Sequence, residues 1–225
     1  MTKRHFMPLL VSLVCATVSL TVMAADGDRL FSSINDSIPK RQHGQGQYDQ
    51  LIIRGAYLID GTGAPATGPV DVVVENDRIV EVRTVGAPGL AIDPKNRPQL
   101  NMTANKTFRE IDAHGKYLLP GFVDSHTHIH SPDGDQKVSA DYIFKLWLGH
   151  GITSTREVFA MAGESRLLAL KELSDKNLIT APRITAFPYF AMPVDGGERL
   201  APINTAKDAR ERVRYLKRLG ADGIK

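Results

Sequence analysis

Cysteine is nearly absent from this 225-residue sequence, which holds one, Cys15. That residue lies in a leading segment that reads as removable, so the working chain has no disulfide and no thiolate chemistry to offer. An excess of one charge is also missing. The formal net charge is +3, and the 28 basic residues include Lys3 and Arg4 of the leader; without those two, 26 face 25 acidic residues. A chain that close to neutrality has no electrostatic footprint for nucleic acid or an anionic membrane. Glycine (19) and proline (13) stay near ordinary usage, so collagen and low-complexity linkers are excluded. What is present, 42% hydrophobic and 24% charged residues, is the composition of one large globular domain or two small ones.

Long hydrophobic runs are missing too. The longest, Phe6 to Val22, is broken by Ser and Thr and falls short of the ~20 apolar residues of a bilayer-crossing helix. Lys3 and Arg4 precede it, and Val22-Met23-Ala24 follows with small residues where a signal peptidase reads. Residues 1–24 are therefore expected to be a signal peptide cleaved after Ala24. That predicts a periplasmic or secreted protein with no membrane attachment after cleavage.

Residues 25–50 are polar and read as a flexible lead-in. From 51 to 113 short β patterns alternate with turn signals. Leu51 to Ile59 stops at Asp60-Gly61, and Val70–Glu75 and Arg78–Arg83 flank Asn76-Asp77 as a hairpin. Thr107 to Ile111 adds another strand, so a small sheet or sandwich is expected. The pattern then changes. Tyr117 to Asp124 is a nearly continuous apolar run, the mark of a strand buried on both faces. Helical spacing over 140–149, a strand over 152–158, a helix over 164–176, a strand over 183–187 and a helix over 205–219 follow in turn. Asp222 to Lys225 reads as the opening of a fourth strand. Strand and helix alternating at this period predict an α/β architecture with a parallel sheet. A (β/α)8 barrel needs about 250 residues, so the chain is expected to hold only its front portion.

His126-Thr127-His128 is the sharpest chemical feature. Residues i and i+2 of a strand share a face, so both imidazoles point one way, near the strand's C-terminal end. Neutral imidazole is the commonest protein ligand for zinc-like metals. Alone, His-x-His is more often a surface loop than a metal site. His130 keeps the same parity but meets Ser131-Pro132-Asp133-Gly134, a loop signal. Asp124 shares the parity and could orient a ligand from behind it. His114 and His150 sit in turn-like contexts and read as structural or solvated.

The surrounding text changes the weight of the pair. Ile111 to His128, with Leu119-Pro120-Gly121-Phe122-Val123-Asp124-Ser125-His126-Thr127-His128 at its end, resembles the amidohydrolase superfamily, in its prolidase- and imidazolonepropionase-like branch. So do Leu58-Ile59-Asp60-Gly61-Thr62-Gly63, Asn76-Asp77-Arg78-Ile79 and Gly149-His150-Gly151-Ile152-Thr153-Ser154-Thr155-Arg156, in the family's order. The resemblance implies a partial (β/α)8 TIM barrel over 114–225 preceded by a small, incomplete β-sandwich subdomain over 51–113. It implies one or two divalent ions, Zn2+ first among them, with His126 and His128 as the first ligands. Gly220 to Lys225 looks like the fourth strand, where the family's lysine bridges two metals as a carbamate, so Lys225 is the expected third ligand. A solvated terminal lysine is the rival reading of that residue. The branch often has Arg-Asp where this chain has Arg156-Glu157. The general base and the later ligands are expected beyond residue 225, and the catalytic group therefore has no name here.

The expected function is hydrolysis of an amide-type C–N bond in a small molecule or peptide, such as an Xaa-Pro peptide or a cyclic amide. No nucleic acid partner is expected, and oligomerisation is left open. The different-class rival is an exported binding protein or degenerate homologue that keeps only the scaffold. The 225 residues alone are expected to be inactive and not to fold stably.

Overall fold

The computed structural model describes residues 29, 31, 32, 34, 38–41, 47–133, 136–160, 163–190 and 203–225. The expected signal peptide, 1–24, lies outside the described residues. Contacts divide the chain into two compact units, one of His43–Gly121 and one of Met1–Gln42 with Phe122–Lys225.

The first unit is a five-stranded sheet. β1 (Gln50–Leu58) is central, antiparallel to β2 (Thr67–Glu75) and parallel to β4 (Phe108–Asp112), while β3 (Arg78–Thr84) closes the hairpin on β2. The hairpin turns at Asn76, whose φ of 53° suits asparagine in a two-residue turn. Ile52, Ala56, Val70, Val72 and Val73 are buried, β2 being buried continuously through its middle, with Ile52 opposite Val73 on the facing strand. Among the described residues this is a single sheet: Ile79, Val80 and Val82 on β3 and Phe108 and Ile111 on β4 stay exposed.

One charge is buried within it. Asp71, between Val70 and Val72, has no exposed surface. Its Oδ1 accepts from Arg97 Nη2 (2.7 Å) and the Gly55 amide (2.9 Å), and its Oδ2 from Arg97 Nε (2.8 Å) and Arg54 Nη1 (2.9 Å). Burial pushes the carboxyl up, but the two guanidiniums and the amide outweigh it and hold it below the ordinary value of 3.8.

The apolar run at 117–124 does not form one strand. Tyr117 and Leu118 form the short β5 (Tyr117–Leu118), pairing with Tyr57 and Leu58 of β1, and the chain then leaves the first sheet through Pro120-Gly121. The units consequently part between Gly121 and Phe122, rather than after Ala113. Nor is the second half of the run buried on both faces: Phe122 is 57% and Val123 70% exposed. They lie on β6 (Phe122–Thr127), which among the described residues is paired along one edge only.

Among the described residues the second unit repeats strand and helix three times. β6, β7 (Ile152–Glu157) and β8 (Arg183–Ala186) form a parallel sheet in chain order, and α1 (Ala140–Gly149), α2 (Glu164–Asp175) and α3 (Ala206–Leu219) follow them. Order without reversal is that of a barrel rather than a doubly wound sheet. The helix boundaries are chemically marked. Ser139 Oγ accepts the Tyr142 amide, Thr205 and Asp208 form a reciprocal capping box, and Gly220 closes α3 at φ 98°. Ala140, Phe144, Leu167, Leu170, Leu173 and Ile184 make the core. A fully buried leucine such as Leu170 contributes about 1.5–3 kcal/mol through its buried area. Ile34 and Ile38, placed by the sequence reading in a flexible lead-in, are buried in this same core. Their apolar side chains found a surface the polar composition around them did not advertise.

The stretch 222–225 is not a regular strand, yet it lies along the end of β8. The Asp222 and Gly223 amides donate to Ala186 O, the Lys225 amide to Pro188 O and the Phe190 amide to Lys225 O. A Cβ on Gly223 would come within 2.2 Å of Phe187 Cε1, so glycine is what lets this segment approach so closely.

Candidate metal centre

The C-terminal end of β6 carries the histidines. His126 is the penultimate strand residue and His128 the first beyond it; their rings lie edge to face, 5.3 Å between centroids. Thr127, between them, turns the other way, buried, and its hydroxyl donates to Arg156 O (3.1 Å). The expected parity therefore holds: 127 and 129 enter the core, and 126 and 128 stand together on the opposite side. Asp124 does not touch an imidazole. Its Oδ1 accepts the His126 amide at 3.0 Å and so fixes the backbone where the first histidine leaves the strand. His130 lies past the strand, as the loop signal predicts, and its carbonyl accepts from Arg166. His150 caps α1, its Nδ1 2.8 Å from Leu146 O.

Behind the pair sits Glu157, the last residue of β7, with no exposed surface. Its Oε2 accepts the Ile129 amide at 2.6 Å, and its Oε1 the Phe159 and Ala160 amides, each at 3.1 Å. Desolvation dominates its acid–base balance and pushes the carboxyl up to about 7, against the three amides and the Lys225 charge, which pull it down. Oε1 stands 3.7 Å from Nδ1 of His128, a buried nitrogen with no hydrogen-bond partner. His128 in turn is held below the ordinary 6.5, first by burial and then by Lys225, His126 and His130. It is the neutral imidazole at neutral pH, the form that binds metal.

Lys225 shares the neighbourhood. Its Nζ lies 5.6 Å from the centre of the Phe159 ring, which meets His128 edge to face with 5.8 Å between centroids. Lys225 is carried there by the backbone bonds to Pro188 and Phe190. Among the described residues no three His, Cys, Asp or Glu side chains gather into a cation site. The donor set is instead two imidazoles and a lysine amine. Two imidazoles on one side of a strand end are half of a four-ligand set. The residues present thus fit a divalent ion, and Lys225 adds oxygens only if its amine is carboxylated.

Glu157 is the residue the sequence reading underused. It was visible as a departure, Arg156-Glu157 where Arg-Asp is usual. Its signal was position: a carboxylate closing a strand whose neighbours Val158 and Ala160 are buried. Such a group must find donors, and it does so in the loops after β6 and β7.

Residues 117–224 match the amidohydrolase family. An adenine deaminase of Nitratidesulfovibrio vulgaris is 40% identical over 94 residues, covering 40% of this chain and 15% of that protein. A dihydroorotase of Leifsonia xyli subsp. xyli is 29% identical over 173 residues, 75% of this chain and 33% of that protein. Among solved structures, a prolidase complexed with N-methylphosphonate-L-proline superposes with a TM-score of 0.55 at 21% identity, over 78% of this chain and 46% of its own. A Xaa-Pro dipeptidase with bound methionine in the active site gives 0.56 at 19%, with the same coverage. The chain thus spans a third or less of these curated relatives and under half of these structures. The structural likeness, at 19–21% identity, shows the fold: the βα repeats of the second unit are those of a (β/α)8-type barrel.

Proposed function

We propose that this chain, which belongs to the amidohydrolase superfamily, supplies the first ligands of a metal centre that hydrolyses amide-type C–N bonds. The observation that carries the reading is the pair His126 and His128, side by side at the C-terminal end of the first barrel strand, with His128 held neutral. Barrel enzymes build their sites at that end. A divalent ion bound there, Zn2+ being the first candidate, would polarise the scissile carbonyl and acidify a water near neutral pH. The chain's own contribution is binding and orientation. His126 and His128 offer ring nitrogens that no described residue occupies. Asp124 fixes the backbone at His126, and Thr127 anchors the turn between the two rings. Lys225, carboxylated on Nζ, would give oxygens to one ion or bridge two. The substrate class is a small peptide of Xaa-Pro type or a cyclic amide, in keeping with the prolidase and dihydroorotase relatives. The leader at 1–24 fits export to the periplasm or beyond, and N-terminal sequencing of the exported protein should begin at Ala25.

The test is metal content and turnover of the full-length protein that carries these residues. Purified wild type should retain one or two equivalents of metal after dialysis and hydrolyse members of a panel of Xaa-Pro dipeptides, dihydroorotate and hydantoins. His126→Ala and His128→Ala should each lose bound metal and at least a hundredfold in turnover. Unchanged stoichiometry and rate in both variants would remove the assignment, and wild-type metal without hydrolysis of any amide would favour a binding protein.

A further inference from the structure

His128 Nδ1 is buried without a partner, and buried polar atoms in folded proteins are overwhelmingly paired. The group facing it, 3.7 Å away, is Glu157 Oε1. That oxygen already accepts two backbone N–H groups, from Phe159 and Ala160. An oxygen that two N–H groups already approach acts as an acceptor, and a carboxyl proton on it would meet both of them, so it does not present a proton to the imidazole. A hydrogen between the two groups must come from the ring. The three amides that hold Glu157 come from two separate loops: Ile129 directly follows the histidine, and Phe159 and Ala160 follow β7. A carboxylate so clamped is a fixed wall beside a ring that is only partly exposed. The Phe159 ring, edge to face with the imidazole, limits rotation from another direction.

We infer that Glu157 is a positioning residue, which keeps His128 in the Nδ1–H tautomer and so presents the lone pair of Nε2 outward to a metal. The inference rests on the metal-centre reading above for its purpose, but not for its geometry. A neutral imidazole has one N–H; placed on Nδ1, it leaves Nε2 as the ligating atom, and the partner of the N–H sets ring orientation and basicity. At 3.7 Å the contact is longer than a hydrogen bond, and a small tilt of the ring toward Oε1 closes it. The bland rival is that Glu157 only staples two loops through their amides. That role would affect stability without regard to which ring nitrogen is protonated.

The experiment reads the tautomer directly, in full-length, metal-free protein labelled with 15N-histidine, with His128 assigned by its loss in His128→Ala. Wild type should show His128 as Nδ1–H. Glu157→Gln and Glu157→Ala should shift it to a mixture or to Nε2–H and weaken Zn2+ affinity about 10–100-fold, read by competition with a chelating dye. Glu157→Asp, which keeps a carboxylate, should recover most of both. An Nε2–H tautomer in wild type overturns the inference by itself, even if no variant folds. So does a loss of affinity and thermal stability in the variants with the tautomer unmoved, which is the staple's signature. The two readings fail separately: His128→Ala that keeps its metal sinks the metal centre, while the tautomer result stands on its own.

Discussion

Among the described residues each of the two units buries one carboxylate completely, and the two live in opposite surroundings. Asp71 in the first sheet is ringed by the guanidiniums of Arg54 and Arg97 and the Gly55 amide. Glu157 at the end of β7 meets three backbone amides and a neutral imidazole. One is held below its ordinary value and the other is raised to about 7. The first is a carboxylate neutralised by full charges, which is how architecture tolerates a buried ion. The second is held mainly by amide dipoles, with the Lys225 charge a smaller help, at a strand end in a barrel, where its remaining neighbour is a candidate ligand. Burial by itself does not mark a site; what distinguishes Glu157 is that its compensation is incomplete.

The largest way to break the contrast is Asp71→Ala. It strands two guanidiniums, of which Arg54 keeps Glu110 while Arg97 keeps no other ion-pair partner among the described residues. The cost should be about 3–5 kcal/mol, the range for removing one partner of a buried ion pair. Chemical denaturation of the full-length protein would measure it, and a loss under 1 kcal/mol would mean the network is ornamental.

pH separates the two carboxylates by sign. Asp71 has a depressed folded pKa, so its contribution is present above 3.8 and disappears as pH falls through its lower folded value. Glu157 has a raised one. Its contribution is full below 4.5 and is lost as pH climbs through about 7, by about 3 kcal/mol for a shift of that size. Unfolding midpoints of metal-free protein across pH 3 to 9 should therefore show an acid limb that Asp71→Asn flattens and a neutral limb that Glu157→Gln flattens. If one substitution removed both limbs, the carboxylates would not be independent.

The smallest effect is a control for burial. The Thr205–Asp208 capping box presents a third carboxylate held below its ordinary value, chiefly by the Thr205 hydroxyl, but in the open. Thr205→Ala should cost about 1 kcal/mol, as caps do, with metal affinity unmoved. A cost matching that of Asp71→Ala would refute the weight given to burial.

Much of this was legible in the residues. Asn76-Asp77 named a hairpin, the three βα units fell where helical spacing and turn glycines put them, and Thr205 and Gly220 marked α3 at both ends. The histidine pair was legible because strand parity is a local rule. What escaped was set by long-range pairing. No local pattern says that Tyr117 and Leu118 pair with β1 while Phe122 joins another sheet, since the apolar run is continuous through both. Ile34 and Ile38 were hidden by polar neighbours. Glu157 was hidden because its meaning lies in three amides contributed by two separate loops.

Phe187 and Gly223 carry a consequence for the lineage of such chains. The ring occupies the space a Cβ at 223 would need, and Arg156 lies 5.1 Å from the ring centre, so the aromatic is held from a second direction. The two positions therefore behave as one heritable character. A descendant that swaps the glycine for any larger residue must first shrink position 187, and the intermediate with neither change complete would displace Lys225, two residues downstream. Aromatic-with-glycine and small-with-alanine should thus appear across relatives as alternative pairs, with mixed pairs rare.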